Sequence, residues 1–147
     1  MTFEKITSKT TCDCLQNANE DTTNVFIRRV GKTNEVKIRD FRAKYEKEGY
    51  VQKEGKCEDA CSDFNLSMDI CTSESEPHIK EKYFLTVSIG QKLNNHLCKF
   101  KLKQNAGKVE YTPQQNHGYE KYHYDFYKED SFDVDKLDVI ELTPLVK

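Results

Sequence analysis

An α+β domain built on a mainly antiparallel meander sheet of four to six strands, with one or two short helices, is the fold class these 147 residues predict. Three observations carry that expectation. Several runs alternate apolar and polar residues with period two, which is the pattern of half-buried strands. The runs follow one another at short spacing, which favours antiparallel pairing over parallel crossovers. Eight Phe and eight Tyr against six Gly and three Pro give a chain that is 33% charged something to pack.

The elements follow in order. Residues 1–23 are polar and rich in Thr, Asn and Asp without a sustained period, so they read as an irregular arm ahead of a single α+β domain over 24–147. NVFIRRV, the turn GKTN and EVKIRDF suggest a hairpin, with Val36, Ile38 and Phe41 alternating with polar residues. Asp40 can cap a short helix over FRAKYEKE, where Phe41 and Tyr45 stand four apart and Gly49 closes the segment. Phe64, Leu66, Met68 and Ile70 form one face of a strand, which TSESEP breaks. EKYFLTVSIG reads as a further strand with Tyr83, Leu85, Val87 and Ile89 on one side. HLCKFKLKQ sets Cys98, Phe100 and Leu102 against Lys99, Lys101 and Lys103, and Cys98 reads as a buried, inert thiol. KVEYTP offers Val109 and Tyr111; YEKYHYDFYK offers Tyr122, Tyr124 and Phe126; DVDKLDVIELTPLV is either a short helix or a last strand before Pro144.

The net charge of −2 is distributed in blocks. Residues 23–53 carry nine Lys/Arg against four acids and 77–110 seven against two, while 54–76 and 111–147 are acidic. Such blocks neutralise one another within one fold or leave a basic face for a polyanion. MTFEKITSKTT has no apolar stretch and no run reaches the ~20 residues of a membrane-spanning helix, so a cytoplasmic protein without a membrane contact is expected.

In that compartment disulfides are rare, which turns attention to metal. Cys12 and Cys14 form C-x-C; Cys57 and Cys61 form C-x3-C after 42 intervening residues. Zinc prefers four soft ligands in a tetrahedron at ~2.3 Å, and two close pairs from distant segments supply them. The expectation is a structural zinc on Cys12, Cys14, Cys57 and Cys61, with Cys71 or His78 as substitutes, pinning the arm to the domain. Disulfide or redox use of the same thiols, and idle thiols, are the competing readings.

Chemistry beyond that is thinly signalled. GxxxxGK[ST], GxGxxG, HExxH and GxSxG are all missing from the sequence, so an enzyme with a Cys or His centre is the third-ranked reading. His117 and His123 flank GYEKY and could join Glu120 or Asp125 in an acid–base or metal site, but they read first as surface histidines. Lys99, Lys101 and Lys103 would repeat at about 6.6 Å along a strand, near the phosphate spacing of an extended polynucleotide. With Arg28 and Arg29, and Phe84 or Tyr127 to stack bases, they make a nucleic-acid-binding accessory protein the second-ranked reading. First stands a small non-catalytic module that binds a protein partner through its acidic C-terminal segment (Asp125 to Glu141) or a sheet edge.

Overall fold

The computed structural model describes residues 1–31, 34–52, 54–88, 95–113 and 120–145, without the side chains of 85–88. One antiparallel sheet of six strands carries the fold. The strands are β1 (Val25–Val30), β2 (Leu66–Ile70), β3 (His96–Leu102), β4 (Gly107–Tyr111), β5 (His123–Lys128) and β6 (Leu137–Pro144), in the spatial order β4-β5-β2-β1-β3-β6. Every pairing is antiparallel. The α+β class and the meander-like sheet are therefore as expected. Three helices accompany the strands among the described residues: α1 (Glu4–Thr7), α2 (Cys57–Cys61) and α3 (Ser75–Ser88). None of them is long and apolar enough to cross a membrane.

Alternation along the strands divides the interior into two layers. Phe26, Met68, Phe100 and Phe126 meet Phe41 and Phe64 in the larger core. On the opposite face Ile27 and Leu97 meet Ile79 of α3 and Leu145. The central strand β1 is thus covered on both sides, and Cys98 lies fully buried in the larger core, as its alternation with Phe100 and Leu102 predicts.

Two segments depart from the sequence reading. EVKIRDF does not return as the second arm of a hairpin; β1 pairs with β2 and β3 instead. The Asp40 carboxylate accepts from the Gly31 and Lys37 backbone N–H groups, curling Ile38–Phe41 into a 3-10 turn that delivers Phe41 to the core. A second 3-10 turn, Lys44–Glu46, stands where the helix over FRAKYEKE was expected, and it brings Tyr45 onto Phe64.

EKYFLTVSIG is the larger correction. Its described residues end α3, and Ile89 and Gly90 lie outside the described residues. The period-two pattern there is outweighed by a cap upstream: the Ser75 backbone N–H donates to Thr72 Oγ1 while the Thr72 N–H donates to Ser75 Oγ. This reciprocal pair satisfies donors that a helix start leaves open. TSESEP is therefore a helix start, with Pro77 close behind the cap. The ambiguous C-terminal segment is a 3-10 turn, Val134–Lys136, followed by strand β6.

Candidate functional site

The four cysteines expected to converge do converge, as two disulfides. Cys12 joins Cys57 and Cys14 joins Cys61, each with a Cα–Cα separation of 5.5 Å. The i, i+4 spacing on α2 puts Cys57 and Cys61 on one helical face, and the C-x-C spacing lets both arm cysteines reach it. A sulfur in a disulfide carries no thiolate charge for a metal. Among the described residues no group of three or more His, Cys, Asp or Glu side chains is placed to hold a metal ion. Neither named substitute joins the four. The Cys71 thiol donates to Glu76 Oε1 at 3.3 Å, and burial with that contact pushes its pKa up to about 11. The His78 ring lies against Tyr122 at 6.3 Å.

The bridges fix what the arm does to the sheet. Asn19 pairs with Val109: its N–H donates to the Val109 carbonyl at 2.9 Å and its carbonyl accepts from the Val109 N–H at 2.8 Å. The outer side of β4 is thereby capped. Beneath the bridges lies a cleft lined by Asp13, Cys14, Cys57, Glu58, Cys61, Glu110 and Asp125, among others.

The basic residues are drawn into the fold. The Arg28 guanidinium donates from Nη1 to the Ser67 carbonyl at 2.6 Å and from Nε to the Asp40 carbonyl at 3.2 Å, and lies over the Phe41 ring at 5.5 Å. Arg29 faces the side-chain amide of Asn95. Lys99 pairs with Glu76 of α3, and in the ladder Lys99 and Lys101 stand opposite Glu141 and Asp138 of β6. Lys103 lies beyond the end of β3 and donates its N–H to the Lys136 carbonyl. Lys99 thus meets carboxylates from α3 and β6, and Lys101 one from β6. Phe84 is exposed, as base stacking would need, whereas Tyr127 is buried with its hydroxyl accepting from Asn65.

A polar cluster of which the sequence reading drew only His123, Glu120 and Asp125 lies between α3 and the sheet. Asp69 and His123 are directly opposite in the β2–β5 ladder, and both are buried. Lys82 of α3 bridges Asp69 at 3.1 Å and Glu120 at 3.3 Å. Burial opposes the Lys82 charge, but Tyr83, Asp69 and Glu120 outweigh it and hold its pKa above the ordinary lysine value. His123 Nδ1 lies 2.8 Å from Thr112 Oγ1, and Nε2 lies 3.8 Å from Asp125 Oδ1. Burial lowers the His123 pKa, against the pull of Asp69, and pushes the Asp125 carboxyl up to about 7. His123 is therefore a buried histidine and not a surface one; His117 lies outside the described residues. The missed signal is the helix: with α3 read as a strand, nothing in the sequence places Lys82 over Asp69. A shallow cleft beside the cluster is lined by Asp69, Glu74, His78, Ile79, Lys82, Glu120, Lys121 and Tyr122.

The other sheet edge differs from the capped β4. β6 offers eight residues, with Val139 and Ile140 exposed at 43% and 49%. Its inner side pairs with β3 along its whole length, with one register shift opposite Lys99 and Phe100. Leu137 and Leu142 turn toward the larger core, while Asp138 and Glu141 share the face of Lys101 and Lys99.

Compared with protein families, curated proteins and solved structures, the chain matches none.

Proposed function

We propose that this protein is a small non-catalytic interaction module that receives an extended strand of a partner protein along β6. The observation that carries this reading is the contrast between the two sheet edges. β4 is capped through Asn19 by an arm that two disulfides tie down, whereas β6 ends the sheet with adjacent exposed apolar residues. An edge strand presents a row of backbone donors and acceptors, and strand addition uses them for affinity while side chains on alternating positions set specificity.

The side chains of β6 describe the partner segment. Apolar residues would lie beside Val139 and Leu142, and lysine or arginine beside Asp138 and Glu141. A second copy of this chain matches less well, because it would add another Asp138 and Glu141 to the face where the first pair stands. The basic strands give less support to a nucleic acid, since Arg28 bonds backbone carbonyls and Lys99 pairs with Glu76. The paired cysteines favour an oxidising setting over the cytoplasmic one that the first residues suggested. Zinc enters this reading through the reduced form of the same four cysteines.

The test uses two ten-residue peptides on the isotopically labelled full chain, one alternating valine with lysine and the other valine with glutamate. The lysine peptide should slow hydrogen exchange of β6 amides not bonded to β3, and the glutamate peptide should not. Failure of both peptides to protect β6 sinks the edge reading. A concentration-dependent dimer closed through β6 in sedimentation replaces the partner strand with a second copy.

A further inference from the structure

We infer that the four-cysteine anchor exchanges between two covalent states, the two-disulfide form and a reduced form that holds one zinc ion on Cys12, Cys14, Cys57 and Cys61. The inference stands apart from the β6 reading and draws on different residues. Cys57 and Cys61 share one face of a five-residue helix, with Cβ atoms about 5–6 Å apart as i, i+4 neighbours. Cys12 and Cys14 each lie one disulfide's reach from one of them. The four sulfurs are therefore gathered within about one helical turn. A zinc–thiolate tetrahedron with ~2.3 Å bonds needs sulfurs only about 3.8 Å from one another.

A second observation concerns charge. Asp13 lies between the arm cysteines and Glu58 follows Cys57, and both carboxylates line the cleft that Cys14, Cys57 and Cys61 also line. In the disulfide form these acids face neutral sulfur. In the reduced form they attract a divalent cation, while the finished four-thiolate site carries about −2 beside them, so the sulfur geometry carries the inference. Both forms make the same connection between arm and α2, so the Asn19–Val109 cap on β4 is retained while the chemistry of the anchor changes.

The exchange balances with a small thiol such as glutathione. Each protein disulfide takes two electrons and two protons from two glutathione molecules, which leave joined as one oxidised glutathione. Two bridges therefore yield four protein thiols and two oxidised glutathiones. Zinc binding then displaces the four thiol protons and leaves four thiolate–metal bonds. Oxidised glutathione reverses the sequence: two bridges form again, four reduced glutathiones leave and zinc returns to solution.

The experiment reduces the full chain with glutathione under inert gas, adds zinc alone, and follows three readouts: zinc stoichiometry, thiol alkylation by mass, and exchange of the Val109 amide. One zinc per chain, four protected thiols and a protected Val109 amide are expected, followed by zinc release and Cys12–Cys57 and Cys14–Cys61 pairing when oxidised glutathione is added. The variant C71S should take up zinc like the parent, and C12S/C14S should lose stoichiometric uptake. The inference is overturned by a reduced chain that binds no zinc, by uptake that survives in C12S/C14S, or by a zinc-loaded chain whose Val109 amide exchanges freely.

Discussion

His123 and Asp125 show how a residue's surroundings set its protonation. Both are buried on β5, so the neutral form of each is favoured. The consequences for stability run in opposite directions. The Asp125 carboxyl, about 3.8 when free, titrates near 7 in the fold, so the native state holds more protons in between. Its contribution to stability is full below pH 4 and is lost as pH rises toward 7. The His123 pKa is lowered below 6.5, so its contribution is present above 6.5 and is lost as pH falls through the folded value. Asp125→Asn removes only the first effect. Thermal melts at pH 4 to 7 should show the parent losing stability relative to this variant as pH rises; a constant difference across the range would exclude an ionising, buried Asp125.

At the scale of elements, the cap on α3 carries the greatest weight. Residues 83–88 alternate well enough to suit a strand, and the exchange of hydrogen bonds between Thr72 and Ser75 starts the segment as a helix. The Ser75 hydroxyl also donates to the Ile70 carbonyl, so the same residue ties the helix to the end of β2. Once started, the helix turns Ile79 to the sheet and Lys82 onto Asp69. Thr72→Ala should cost about 1 kcal/mol, within the usual 0.5–2 kcal/mol for loss of an N-cap side chain. Urea denaturation checks the value, and hydrogen exchange should speed up in α3 before it does in β1.

For the whole molecule, the disulfides add a covalent tie to an arm that Ile6 and Ala18 already seat in the larger core. The bridges span 45 and 47 residues. Closing a loop of that size restricts the unfolded chain by about 4 kcal/mol for the first bridge on the chain-entropy account, and by less for the second because the loop is already closed. Reduction in the presence of a chelator should therefore lower the unfolding free energy by several kcal/mol. It should also free the outer side of β4, with Val109 losing its exchange protection while the β1 amides keep theirs. Unchanged Val109 protection in the reduced, metal-free chain would show that the Asn19 cap holds without its covalent anchor.

The sequence by itself determined the strand faces, because alternation is a local pattern that a sheet reads directly: Met68, Phe100 and Phe126 fall where their spacing puts them. It also singled out the two cysteine pairs as candidate partners, with idle thiols left open beside metal and disulfide. It could not choose between metal and disulfide, which depends on how the sulfurs pair in space. Nor could it add Asp69 and Lys82 to the histidine and carboxylates it drew, because these residues of β2 and α3 meet His123 only after a capped helix crosses the sheet. Among the described residues, tertiary structure likewise decided which edge is covered and which ends the sheet, because a strand's hydrogen-bonding side is backbone, and side-chain pattern carries no record of it.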